Sequence, residues 1–187
     1  MQIRCALVGM PGSGKSTVGR HLAQRLKVPF IDLDHQLEQV LKTSIRQFFE
    51  AEGEARFRDI EAQVLAKVTA RPGGMVLSTG GGAVLRPENR QVLRDFGNVL
   101  YLRASPEEIF KRVKHDRTRP LLQVNNPLQK LRELYAQRDA LYRDAATYVI
   151  ETGRPTVQTL VNMIMMQLET APPPAAPASP SEALSKQ

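Results

Sequence analysis

Nine residues near the start, Gly9-Met10-Pro11-Gly12-Ser13-Gly14-Lys15-Ser16-Thr17, fit the pattern G-x-x-x-x-G-K-[ST] and leave few folds open to the chain. The apolar run from Ile3 to Val8 before them reads as a strand. Val18-Gly19-Arg20-His21-Leu22-Ala23 after them continues as a helix. In a strand–loop–helix of this kind the glycines let backbone N–H groups turn inward around a polyphosphate. The helix aims the positive end of its dipole at the same phosphates. Lys15 adds a full charge near the β- and γ-phosphates, and Ser16 can offer its hydroxyl to Mg²⁺. Gly12, Ser13, Gly14, Lys15, Ser16 and Thr17 are therefore the expected contacts of a nucleoside triphosphate.

The rest of the chain can house one domain around such a loop. It has 187 residues, 42% of them hydrophobic and 24% charged, with a single cysteine, Cys5, inside the first strand. One cysteine cannot form an internal disulfide, so a reducing compartment, the cytoplasm, is expected, with Cys5 as a buried thiol. No basic-then-apolar leader precedes the first strand. The apolar stretch Leu160 to Leu168 is too short to span a bilayer, so no membrane partner is expected. The net charge of +7 raises the question of nucleic acid. The basic residues are scattered among separate motifs and aromatics are only 5%, which suits small anionic substrates better.

Val28 to Asp34 reads as a second strand ending in two acids. Two apart on a strand, Asp32 and Asp34 share a face. At the carboxyl edge of a parallel sheet they stand beside the phosphate loop, one able to reach Mg²⁺ and the other to accept a proton from a hydroxyl. Asp34 also suits the N-cap of the following helix, and the two roles are compatible. Ser44 and Gln47 form a capping-box pattern, Gly53 interrupts the helix, and a longer helix runs from about Glu54 to Ala70. Phe57, Glu61 and Leu65 share a stripe on it, with Arg58 three residues before Glu61. That arginine is either half of a surface ion pair worth under about 1 kcal/mol or a planar fork held for a carboxylate. Spacing leaves both open.

Met75 to Thr79 is a strand that runs into Gly80-Gly81-Gly82, where backbone N–H groups can approach a ligand. A helix over Pro87 to Phe96 and a strand over Val99 to Leu102 follow. Ser105-Pro106 opens another helix. Residues from about 111 to 124 are the densest cationic segment, read either as a lid closing on phosphates or as a solvated face. A long helix over Pro127 to Ala145, a strand over Tyr148 to Ile150 and a helix over Thr156 to Leu168 complete the order. Met163, Met165 and Met166 are expected to be packing residues. From Ala171 to Gln187 the composition is Pro/Ala/Ser-rich, that of a disordered tail.

Across residues 1 to about 168 the sequence resembles the shikimate kinases. The signatures are the phosphate loop, Asp32-x-Asp34, Phe49-Glu50-x-Glu52-Gly53-Glu54-x-x-Phe57-Arg58-x-x-Glu61, Gly80-Gly81-Gly82, Arg119-Pro120-Leu121-Leu122 and Arg138-x-x-Leu141-Tyr142. The resemblance implies an α/β fold of the P-loop NTPase type, three layers (α/β/α) around a central five-stranded parallel sheet, as in nucleoside monophosphate kinases. The domain would cover 1–170 with the lid at about 111–124. The implied activity is transfer of the γ-phosphoryl of ATP to the 3-hydroxyl of shikimate, in chorismate and aromatic amino-acid synthesis, by a monomer using Mg²⁺. Carried over residue by residue, Lys15, Asp34 and Arg119 would be catalytic, with Ser16 and Asp32 on the metal side. Asp34, Arg58, Gly80, Gly81, Gly82 and Arg138, with Phe49, Phe57 and Glu61, would form the shikimate side. Arg112 and Arg154 would face the adenine, and Arg119 the phosphates. A gluconate kinase of the same architecture and a non-catalytic nucleotide switch are the rival readings. The paired arginines and the glycine triplet argue against both.

Overall fold

Strand β1 (Arg4–Val8) is apolar on both faces, the mark of a central strand in a parallel sheet covered on each side. Cys5 and Leu7 point to one helical layer, Ala6 and Val8 to the other. The computed structural model describes residues 3–114 and 124–170 of the 187. Helix α1 (Lys15–Leu26) follows the phosphate loop, then come β2 (Phe30–Asp32), α2 (Leu33–Leu41), α3 (Ile45–Glu52) and α4 (Glu54–Thr69). The order continues with β3 (Met75–Ser78), a 3₁₀ turn (Ala83–Leu85), α5 (Pro87–Phe96), β4 (Asn98–Arg103) and α6 (Pro106–Val113). Helix α7 (Pro127–Ala145), β5 (Tyr148–Glu151) and α8 (Val157–Thr170) complete it.

The sheet is wholly parallel in the order β2-β3-β1-β4-β5. β1 sits in register between its neighbours, Ala6 opposite Leu77 on β3 and Val99 on β4. Helices α1 and α8 close one face through Val18, Leu22, Leu160, Val161 and Ile164. Helices α4, α5 and α7 close the other through Leu65, Leu93, Leu131 and Leu134. This is the expected three-layer architecture, and it puts the ends of β1, β2 and β3 together at the carboxyl edge, where α/β sheets bind ligands.

Local chemistry explains most boundaries. Ser105 and Glu108 form a reciprocal capping box at α6: the Glu108 N–H donates to Ser105 Oγ at 3.2 Å and the Ser105 N–H to Glu108 Oε2 at 2.8 Å. At α3 only half of the expected box forms. Ser44 Oγ accepts from the Gln47 N–H, but the Gln47 amide oxygen accepts instead from the Thr43 hydroxyl at 2.7 Å.

Three expectations are corrected. β2 covers Phe30–Asp32 only, so Asp34 lies in the first turn of α2 and not on a strand. The cap of that helix is Asp32, whose Oδ1 accepts from the Asp34 N–H at 3.1 Å. Of the three late methionines, Met163 and Met166 are exposed, and Met165 alone packs. The stripe of α8 that meets α1 runs through Leu160, Val161 and Ile164, and positions 163 and 166 fall outside it. Among the described residues no helix is long and apolar enough to cross a membrane. Residues 115–123, with Arg119 and most of the expected lid, and the tail 171–187 lie outside the described residues. Lys111 to Val113 end α6.

Candidate active site

The phosphate loop between β1 and α1 is a cradle with its own wiring. Gly12 and Gly14 adopt φ of 82° and 93°, values that favour glycine and turn the loop back on itself before α1 begins. The Ser13 N–H donates to the Met10 carbonyl at 3.1 Å, closing the turn. Lys15 is 8% exposed, and its Nζ donates to the carbonyls of Gly9 and Met10, each at 2.9 Å. The ammonium is thus arched over the loop on the wall of a cleft of about 350 Å³, which also includes Ser16, Thr17, Asp34 and Gly80. Ser13 Oγ is buried with no hydrogen-bond partner among the described residues.

Ser16 and Asp32, which the resemblance put together on the metal side, are hydrogen-bonded to each other. Ser16 Oγ donates to Asp32 Oδ2 at 2.8 Å, and the other carboxylate oxygen caps α2. Two oxygen ligands side by side at the mouth of the phosphate loop are a donor set Mg²⁺ accepts, with phosphates and water completing its shell. Asp34, two residues further on, is open to the cleft but has protein on most sides. That desolvation, with the charges of Asp32 and Glu38, raises its pKa, against the pull of Lys15 and Arg58.

The three glycines after β3 join these parts. A Cβ on Gly80 would stand 2.7 Å from Asp34 Oδ1, and one on Gly81 would stand 2.8 Å from Pro11 Cδ in the phosphate loop. On Gly82 it would fall on the Arg58 guanidinium. Each glycine therefore lets a different functional side chain approach the backbone. Their φ values are not in the left-handed region, so close approach, and not turn geometry, requires glycine here.

Arg58 is no surface ion pair. Its side chain is 13% exposed, and Glu61, at 2%, places both carboxylate oxygens on Nη1, one of them at 2.9 Å. Burial raises the Glu61 pKa and Arg58 opposes the shift. Glu61 thus sits beneath the arginine and fixes its plane. The guanidinium also lies over the rings of Phe57 and Phe49, 5.2 and 5.8 Å from their centroids, and those rings pack 4.6 Å apart. Arg138 comes from the far side, on α7. Its Nε is buried with no hydrogen-bond partner among the described residues. Both arginines bear on Glu61 and on the Tyr142 hydroxyl, so the pair converges on one place.

Tyr142 is a residue whose part the sequence reading missed. It is fully buried and donates to the Gly81 carbonyl at 2.6 Å, tying α7 to the glycine turn. Desolvation pushes its hydroxyl up to about 12, which keeps it a donor. The signal was available, since Tyr142 lies four residues after Arg138 on the same helix face. Asn89 and Arg90, which donate to the carbonyls of Ala83 at 3.0 Å and Val84 at 2.8 Å, carried no such signal. Arg112 spans from α6 to the loop, with Nη1 3.4 Å from the Ser13 carbonyl and Nη2 on the Thr152 carbonyl. Arg154 is exposed in the turn after β5.

A parallel sheet with a phosphate loop after its central strand, an acid beside that loop and two arginines facing it from the other side defines a P-loop kinase of small molecules. A family model described as shikimate kinase matches residues 11–169. The chain is 58% identical to the shikimate kinase of Paracidovorax citrulli over 91% of its own length and 94% of that protein's, and 54% identical to that of Ralstonia nicotianae over 96% and 95%. A solved shikimate kinase from Acinetobacter baumannii in complex with shikimate superposes with a TM-score of 0.84 at 45% identity, covering 90% of this chain and 93% of the other. The chain belongs to the shikimate kinase family.

Proposed function

We propose that the chain transfers the γ-phosphoryl group of ATP to the 3-hydroxyl of shikimate, giving shikimate 3-phosphate and ADP, with Mg²⁺ as cofactor. One observation carries the proposal: three consecutive glycines lie against the acid, the phosphate loop and the arginine clamp in turn, so acceptor and donor subsites meet at one short turn. The Nε of Arg138, buried and without a hydrogen-bond partner among the described residues, supports an anion between it and Arg58, which suits the shikimate carboxylate. Phe49 and Phe57 are placed to pack the ring, and Glu61 acts through Arg58.

In the reaction the acceptor hydroxyl loses its proton to Asp34 as its oxygen bonds to the γ-phosphorus. The bond from that phosphorus to the β–γ bridging oxygen breaks, and ADP leaves with the electron pair. The raised pKa of Asp34 makes it a better proton acceptor than an ordinary aspartate. Lys15 and the N–H groups of Gly12 and Gly14 stabilise charge on the transferring and leaving phosphates. Ser16 and Asp32 would hold Mg²⁺, which supplies further neutralisation of phosphate charge. Arg112 and Arg154 stand for the adenine side, and Arg119, outside the described residues, for a lid arginine. The reading includes a cytoplasmic monomer in the route to chorismate.

A coupled ADP-release assay against shikimate, quinate and gluconate tests it. Turnover should need shikimate and Mg²⁺ together. Equal rates with gluconate, or none with shikimate, would overturn the proposal.

A further inference from the structure

The two clamp arginines are not equivalent. Every nitrogen of the Arg58 guanidinium already faces an acid: Nη1 meets Glu61, while Nε at 3.4 Å and Nη2 at 3.3 Å share the single oxygen Oε1 of Glu54. Arg138 Nε has no such partner among the described residues. A bidentate carboxylate needs two nitrogens on one edge of the fork. With Nη1 committed to Glu61, the usable edge is Nε/Nη2, and Glu54 occupies it.

The two acids differ in what it takes to move them. The Glu61 side chain is 2% exposed, so turning it away would strand a buried charge. The Glu54 side chain is 58% exposed, holds its arginine by two long contacts from one oxygen, and can turn directly into water. It is the first residue of α4, where a carboxylate side chain complements the positive end of the helix dipole.

From this asymmetry we infer that Glu54 is an exchangeable stand-in for the substrate carboxylate. It holds the Nε/Nη2 edge of Arg58 in the free protein and gives it up to the incoming acid, while Glu61 stays in place. The inference rests on the functional reading above and deepens it. The exchange also sets specificity. An acid that displaces Glu54 restores the charge pairing of Arg58, whereas a neutral analogue leaves the arginine without it.

Calorimetric titration of shikimate and of its carboxamide analogue, with ADP titrated separately, tests the inference on the wild type, E54Q, R58A and the E54Q/R58A double variant. Shikimate that fails to bind the wild type would break the functional reading itself. Given wild-type binding, E54Q should bind shikimate about 2- to 5-fold more tightly, the scale of an exposed ion pair. ADP affinity should not change, and the preference for the acid over the amide should narrow. The gain should vanish in the R58A background, because the competition acts through that guanidinium. Unchanged or weaker binding by E54Q would overturn the inference, as would a gain that persists without Arg58.

Discussion

At Asp34 a carboxylate is held where ionisation is costly, and rate and stability should respond in opposite directions. Asp34→Asn should lower kcat by about 10²-fold or more, the scale of a lost general base. It should also raise the melting temperature at neutral pH. For an acid whose folded pKa lies above its unfolded value, stability is lost as pH rises between the two values, and asparagine never ionises. Below the unfolded pKa, wild type and variant should unfold alike. Rate–pH profiles add a check, since the acid limb of kcat should lie above the ordinary aspartate range and be absent from the residual activity of the variant. The clamp gives a second test. Arg58→Ala and Arg138→Ala should each raise KM for shikimate far more than KM for ATP, by about 2–4 kcal/mol for a lost charged partner. Lysine should restore little at either position. A variant in which KM for ATP rises most would move that arginine to the nucleotide side. From sequence spacing alone Arg58 was undecided between an ion pair and a clamp, because the ring contacts and the burial of Glu61 that settle its setting arise only when α3 and α4 fold against each other.

Among the elements, the glycine turn makes the sharpest statement, because its three positions fail for three different reasons. Gly80→Ala crowds Asp34 and should mainly lower kcat. Gly81→Ala presses on Pro11 in the phosphate loop and should mainly raise KM for ATP. Gly82→Ala displaces Arg58 and should mainly raise KM for shikimate, by about tenfold or more for a loss of about 1.4 kcal/mol. Steady-state kinetics of the three variants separate these outcomes, and a uniform loss across them would show only a damaged turn. A run of glycines after a strand announced close approach, but the approaching groups are this chain's own side chains. That could not be read from spacing, since Gly82 and Arg58 come together only through tertiary packing. The elements themselves were more legible. Pro87–Phe96 and Pro127–Ala145 match their predicted bounds because a proline at the first helical position marks each start. The end of β2 was missed because Asp32 caps α2 at once, cutting short a run that reads as extended.

For the molecule as a whole, the five-stranded parallel sheet was implied by the resemblance to the shikimate kinases, and the apolar strands alternating with helices agree with it, because strands buried on both faces have few other homes. The sequence could not rank the weak surface features, and two of three methionines assigned to packing face outward. The described fold closes with α8 at Thr170. Removing residues 171–187 is therefore expected to leave turnover and melting temperature unchanged, and a drop of several degrees would show that this segment contributes contacts of its own.

The position of β1 has a consequence for synthesis. It is the first strand to be made, yet its partners lie at residues 75–78 and 98–103, and the Tyr142 that ties down the glycine turn comes later still. A ribosome-bound chain holds the phosphate-loop residues for most of its translation without a sheet to seat them. Neither ligand can then be captured by a half-made chain, and each should stabilise the finished protein by its full linkage term, RT ln(1 + [L]/Kd). Added to a cell that makes destabilised variants, shikimate should therefore rescue chains already released and do nothing for those still emerging.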